Sequence, residues 1–320
     1  MKIGIVSDSL AHLSFVEMLK VAKGLGISGV EFNTGNWSTA PHVDLPTLLG
    51  SESARDEFVS QIAEQNLEII SLNCNGNQLH PIEGKEHDQV VQDTIRLSSL
   101  LGLSKVCLMS GLPGADPNER YPNWIVSSWP PETQRILEWQ WHERLIPYWK
   151  ELVAFAADHG VGTLAVEMHG NQLVYNPRAL IRLREEIGPA VCANLDPSHL
   201  MWMGADPLAS VDYLDSAIVH VHGKDTALNS PASATASLLE NGPLDDARNR
   251  SWNHCTLGYG HDAKWWADFF YRLGMIGYDG WISIEHEDVN QSRIEGIRKA
   301  VDLLRSWAIF DPRDFAVQEV

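Results

Sequence analysis

Four stretches of this chain repeat one unit: a helical run, a turn built on glycine, then a short apolar strand. They are "MLKVAKGLGISGVEF" (18–32), "LSSLLGLSKVCLM" (97–109), "LVAFAADHGVGTLAVEM" (152–168) and "FFYRLGMIGYDGWISIE" (269–285). Glycine ends a helix readily because it enters the left-handed region without a Cβ clash. The strands are nearly continuous apolar runs, as a parallel sheet covered by helices requires. Such strands are expected at about 3–7, 29–33, 68–73, 104–109, 163–168, 191–196, 217–222 and 281–286, with helical patterns between them. Eight alternating units point to an α/β fold, a closed (β/α)8 TIM barrel occupying 1–320 as a single domain. A doubly wound open sheet is the structural alternative, but no GxGxxG follows the first strand to favour a dinucleotide-binding version.

Two segments exceed what a minimal barrel needs. Residues 110–147, with Trp124, Trp129, Trp139 and Trp141, follow the fourth strand, and residues 223–262 follow the seventh. Both leave the C-terminal end of a strand, the face on which barrel active sites are built. Each reads as a lid or binding loop, or as an oligomer contact, since exposed tryptophans also mark interfaces. The formal charge of −18 repels phosphate backbones and anionic lipid, so neither nucleic acid nor a membrane surface is an expected partner. Cys74, Cys107, Cys192 and Cys255 lie far apart with no CxxC pair, and the first three sit in apolar runs. Buried free thiols in a reducing cytoplasm are the expected state. The opening "MKIGIVSDSLAHL" reads as a first strand rather than a signal peptide.

Chemistry gathers at four strand ends. "LAVEMHG" ends in Glu167, "CANLDPSH" in Asp196, "IVHVHGKD" in His222 and "ISIEHED" in Glu285. In a barrel these ends are neighbours on one rim. A lone strand-end glutamate is ordinarily a surface or ion-pair residue, and a lone histidine a hydrogen-bonded core residue. Three carboxylates and an imidazole at equivalent positions in successive strands need a positive partner, because burying unpaired charge is costly. A divalent cation supplies it. Oxygen-rich ligation with one histidine suits Mn²⁺ foremost, with Mg²⁺, Co²⁺ or Zn²⁺ as alternatives.

These motifs, "VEMHG", "NLDPSHL", "VHVHGKD" and "GYDGWISIEHED", resemble those of the xylose-isomerase-like superfamily of sugar isomerases and epimerases, with inosose dehydratase and endonuclease IV as relatives. The resemblance covers nearly the whole chain. It implies that Glu167, Asp196, His222 and Glu285 are metal ligands, and that Glu167 and Glu285 also flank the substrate and move protons on opposite faces. It further implies a substrate or metal-supporting role for His199. His169 lies two residues after Glu167 and would share its side of an extended strand. It reads as a substrate contact, a proton carrier or a hydrogen-bonded loop histidine. Lys224 would balance the acids or hold a substrate oxygen. Arg250 would contact substrate or be a solvated loop arginine. His80, in "NCNGNQLHP", would line the third-strand side of the pocket. His286 should point away from Glu285 and be structural.

The resemblance implies a divalent-metal-dependent isomerase or epimerase acting on a keto-sugar, by proton transfer through a metal-stabilised enediolate. The alternative is a lyase of the same superfamily, cleaving a 3-oxo-glycoside or inosose by β-elimination. The Trp-rich insertion would then suit an aglycone or a partner subunit. A homo-oligomer is expected. A nuclease is disfavoured by the charge and by "LMSGLPG", which offers no extra metal-binding histidine. A non-catalytic sugar-sensing barrel is disfavoured by the intact quartet.

Overall fold

The computed structural model describes residues 1–312 and 314. Its barrel strands are β1 (Lys2–Val6), β2 (Gly29–Asn33), β3 (Glu68–Asn73), β4 (Lys105–Leu108), β5 (Thr163–Glu167), β6 (Val191–Leu195) and β7 (Ile218–Gly223), closed by β10 (Trp281–Ile284). All pair in parallel, in the cyclic order β1-β10-β7-β6-β5-β4-β3-β2. The closed barrel and its eight strand positions agree with the sequence pattern, and the open sheet is excluded. The segment 223–262 is more ordered than a loop. It carries an antiparallel ribbon of β8 (Asp225–Leu228) and β9 (Trp252–Cys255), and a short helix, Ser230–Ala236.

The glycine turns share one geometry. Gly26, Gly102, Gly160 and Gly277 have φ of 83°, 70°, 75° and 82°. In each case the next residue's amide reaches back five residues to a helix carbonyl. Ile27 bonds Ala22, Leu103 bonds Ser98, Val161 bonds Ala156 and Tyr278 bonds Leu273, at 2.8–3.1 Å. This is the Schellman closure, and it satisfies carbonyls that the helix end would leave open. It also delivers the chain into the next strand at a fixed angle. Asn66, with φ 51°, makes the same turn before β3.

The core is divided by the sheet. Between strands and helices it is apolar: Val30, Phe32, Leu72, Val106, Leu164, Val166 and Ile282 are all at most 1% exposed. Inside the barrel it is polar. Glu31, Ser71, His220 and Ser283 are fully buried there. Contacts across the lumen show their direction, since Glu31 of β2 touches His220 of β7 although β1 and β10 lie between them. Among the described residues no helix is long and apolar enough to cross a membrane. All four cysteines are free, and Cys74, Cys107 and Cys192 are buried.

The glycines separate two backbone roles. Gly102 has open space around its Cβ position but a left-handed φ, so Gly102→Ala should destabilise the fold by about 1 kcal/mol through strain alone. Gly24, inside the first helix with equal space, should gain about 0.5–1 kcal/mol as Ala. Urea unfolding of the two variants checks the opposite signs.

Candidate metal centre and pocket

The strand ends place the four predicted ligands. Glu167 closes β5, and Asp196 follows β6 as the N-cap of the helix Pro197–Met203. Asp196 Oδ1 accepts from the Ser198 amide at 2.8 Å, which leaves Oδ2 to face the rim. His222 is the penultimate residue of β7, and Glu285 stands one residue beyond β10. One potential ligand atom from each of the four lies within 4.8 Å of all the others. His222 Nδ1 is 3.1 Å from Glu285 Oε2, 3.7 Å from Asp196 Oδ2 and 3.8 Å from Glu167 Oε1. Among the described residues, neither His222 Nδ1 nor Asp196 Oδ2 has a hydrogen-bond partner, and both are buried. Two orphaned atoms that can each present a lone pair, converging with two further carboxylates, fit a divalent cation.

The two glutamates lie in unlike surroundings. Burial pushes Glu167 up to about 8, with Glu285 and Asp196 adding repulsion against the pull of His222. Its neighbours are neutral donors: Asn75 Nδ2 to Oε2, and His199 Nε2 to Oε1 at 3.1 Å. Burial holds His199 well below the ordinary histidine range, and its Nδ1 accepts from Trp202 Nε1 at 3.4 Å. Nε2 therefore carries the proton given to Glu167. Burial also works against Glu285, but the Lys224 ammonium at 3.2 Å and His222 hold it below the usual carboxylate range. Lys224 is buried, and its other partner is Glu287 at 2.6 Å. Burial likewise opposes the His222 imidazolium, yet Glu31, Glu285 and Glu167 hold its pKa well above the ordinary value.

The quartet lies beside a cavity of about 870 Å³ lined by Glu167, Glu285, His169, His199, Lys224 and Arg250, among others. The size and the few convergent polar groups are those of a small-molecule site. His169 packs edge-on against His199, ring centroids 4.0 Å apart, and its Nδ1 meets the Gly170 carbonyl at 2.5 Å. Burial lowers its pKa, so its free face is a neutral imidazole. Arg250 lines the cavity but is neither free nor solvated. Its guanidinium bonds the Gly242 and Trp252 carbonyls and faces Glu240 at 3.4 Å, so it clips the strand-seven insertion over the site. His80 is not among the lining residues. Its Nδ1 accepts the amides of Ile82 and Glu83 at the entry to the helix Gly84–Leu100, a capping duty set by the turn that follows it. His286 turns away from the cavity toward Gly296 of the last helix.

Several pocket residues escaped the sequence reading. Trp202 was not singled out; it stacks on Trp252 at 4.7 Å and packs on Trp124, both of which lie in the segments read as lids or binding loops. Trp37 and Asp8 also line the cavity. Glu31 was readable in principle, as an acid in the otherwise apolar strand "GVEFN", and so was His220, which shares a face with His222. Asp225 gathers the "GYGHD" turn by accepting the amides of Gly258, Gly260 and His261 at 3.0–3.1 Å.

Fold and site together define a (β/α)8 barrel with a metal-competent centre at the C-terminal rim of its strands. The chain belongs to the xylose isomerase-like TIM barrel family, whose profile matches residues 19–307. It is 48% identical over 308 residues to YfiH, an uncharacterized protein of Bacillus subtilis (strain 168), covering 95% of this chain and 98% of that one. Its fold is similar to the probable 3-DHS dehydratase AsbF of Bacillus anthracis (TM-score 0.68, 16% identity, covering 95% and 99% of the two chains). It is also similar to the 3-keto-D-glucoside 4-epimerase YcjR of E. coli (TM-score 0.63, 14% identity, covering 96% and 99%).

A cation at the quartet must displace protons from Glu167 and His222, whose pKa values are raised without it. Mn²⁺ affinity should therefore climb from pH 6 to pH 9, and His222→Ala should lower Mn²⁺ content after dialysis. Calorimetry and elemental analysis read both. A pH-independent affinity, or unchanged metal content in the variant, would remove His222 from the ligand set.

Proposed function

We propose that this protein is a divalent-cation-dependent isomerase or epimerase of a keto-sugar. One observation carries the reading: Glu167 and Glu285 converge with Asp196 and His222 at the charged floor of one cavity, in surroundings that push the two carboxyl groups in opposite directions. A divalent cation held by these four residues, with Mn²⁺ the leading choice, would draw charge from a substrate carbonyl and acidify the adjacent C–H.

The chain's own groups do the rest. Glu285, kept ionised by Lys224, is fitted to take a proton from carbon. Glu167, which gives up its own proton when a cation is held, is the second carboxylate beside the cavity and is fitted to return a proton to carbon. Delivery to the opposite face of the same carbon gives an epimer, and delivery to the neighbouring carbon gives an isomer. Groups of one residue type whose surroundings push their pKa values apart are the usual acid–base pair. His199 orients Glu167 through its Nε2–H. Lys224 and Trp124 Nε1, a buried donor without a partner among the described residues, are placed to hold substrate oxygens. Trp202 and Trp252 exclude water from one wall.

A second reading has its own support. The cavity rim carries exposed apolar side chains, with Trp37, Val126, Leu239 and Leu244 all more than 40% exposed. An apolar rim above a charged floor suits a ligand with a polyhydroxylated end and an aglycone. Loss of a β-oxygen leaving group after the same deprotonation would make the enzyme a lyase. The relatives named above include an epimerase and a probable dehydratase, which is compatible with either outcome.

Incubation of the Mn²⁺-loaded protein with keto-sugars and 3-oxo-glucosides in D₂O separates the two. Deuterium at carbon with the skeleton intact supports the isomerase, and aglycone release supports the lyase. Glu167→Gln and Glu285→Gln should each lower turnover by about 100-fold or more. Near-normal activity in either variant, or neither product from the loaded protein, would overturn the two-glutamate mechanism.

A further inference from the structure

The lumen below the quartet holds ionisable groups that the proposed chemistry does not use. Lys105 is the first residue of β4, at the opposite end of the barrel from the rim. Its Nζ reaches His220 Nδ1 at 3.1 Å and the Val219 carbonyl at 3.3 Å. His220 Nε2 lies 2.6 Å from Glu31 Oε2. Glu31 Oε1 accepts from Asn73 Nδ2 at 2.7 Å and stands 3.3 Å from His222 Nε2. The other nitrogen of His222 faces the quartet. Filling the lumen with apolar side chains is the common barrel solution, and a buried charged set is costly by comparison. The set therefore calls for a role.

The polarity of the chain of contacts is fixed from both ends. An ammonium has donors only, so Lys105 makes His220 Nδ1 an acceptor. The His220 proton is then on Nε2, where it is donated to Glu31. At the other end, a cation at the quartet needs a bare Nδ1 on His222. The His222 proton must then sit on Nε2, and Glu31 is the carboxylate that receives it. Asn194 stands 3.0 Å from the same nitrogen through its amide Nδ2, so this tautomer requires the Asn194 amide turned end for end, which brings its otherwise unpartnered Oδ1 to the His222 N–H.

We infer that Lys105, His220 and Glu31 form a positioning relay that runs from the base of the barrel to the rim and locks His222 in the tautomer and orientation that present Nδ1 to a metal. This rests on the cation-binding reading of the quartet. None of the three touches the quartet's cation position; they act through His222. A carboxylate that accepts the outer N–H of a ligating imidazole fixes the ring and raises its basicity, and its removal costs about 10- to 100-fold in metal affinity. Glu31 serves two imidazoles at once, so the setting of His220 by Lys105 decides how much of Glu31 remains for His222.

Mn²⁺ dissociation constants by electron paramagnetic resonance test this on the full-length protein. Glu31→Gln should weaken Mn²⁺ by about 10-fold or more. Lys105→Met should weaken it by a smaller factor, and Lys105→Arg should restore it. Long-range ¹H–¹⁵N spectra of the Zn²⁺-loaded, ¹⁵N-histidine-labelled protein should show protonated Nε2 on both His220 and His222. In Lys105→Met the His220 pattern should change, which a merely structural role would not produce. If Glu31→Gln does not fold, the Lys105 pair decides alone, because that side chain is only half-buried. Binding within twofold of wild type in Lys105→Met, with unchanged histidine spectra, would overturn the relay. A wild-type protein that takes up no Mn²⁺ would instead overturn the cation-binding reading beneath it.

Discussion

Three carboxylates and an imidazole held within 4.8 Å of one another make the repulsion around which this barrel is arranged. Two carboxylates about 4 Å apart repel by about 4 kcal/mol at the effective dielectric of a protein site. The fold spreads its compensation unevenly. Lys224 and His222 attend Glu285 at 3.2 and 3.1 Å, while Glu167 is hydrogen-bonded by the neutral donors Asn75 and His199 and has His222 farther off, at 3.8 Å. Two glutamates of identical chemistry thereby become unlike groups. The asymmetry originates in the backbone, since Lys224 follows β7 directly and the next residue, Asp225, is pinned by the amides of the 258–261 turn. A lysine on a freer loop would not hold one carboxylate in preference to the other.

Closure of the sheet makes such convergence cheap. Each strand end is set by its own helix-closing turn, and parallel register carries that setting to the rim. Ser283 pairs with His222 and Glu167 with Asn194, so residues far apart in the chain arrive at one height. The same register places His220 and His222 of β7 on the lumen side, against Glu31 of β2. The site is therefore braced from below by strands as well as covered from above by loops.

Much of this was legible in the chain and some was not, for physical reasons. The glycine turns and apolar strands were readable because each obeys a local rule, and four equivalent strand-end residues were readable because they share a position. Asn66 shows the limit of the glycine rule, since asparagine also tolerates the left-handed region. His80 and Arg250 mark another limit. Both looked like pocket residues from their motifs; Arg250 does line the cavity and His80 does not, but in each the nitrogens are occupied by backbone groups that only the folded loops bring near. The lumen set was hidden differently. Glu31 and Lys105 lie 74 positions apart in the chain, and nothing local in either strand announces the other. The ribbon of β8 and β9 was missed because its strands are four residues each and separated by 23, which leaves no hairpin signal to read.

Dividing the core between two faces of one sheet explains how the lumen can afford to be polar. Stability comes from the outer layer, where each fully buried aliphatic or aromatic side chain contributes about 1.5–3 kcal/mol relative to exposure. Trp149, Trp266, Phe32, Phe269 and Phe270 are among the largest of these. The inner layer is small by comparison, and Lys105, His220, Glu31, Asn73 and His222 meet one another across the barrel, while Ser283 Oγ has no partner among the described residues. Replacing them by apolar residues of equal volume would be neutral or stabilising for the fold, since a buried ion pair rarely outperforms a well-packed hydrophobic one. What would be lost is orientation. On the cation-binding reading, an aliphatic lumen would give His222 no reason to prefer one tautomer, and a proton on Nδ1 would oppose a cation at the quartet. The polar lumen is thus better understood as a choice of geometry over stability, made possible because the helices outside already supply enough of the latter.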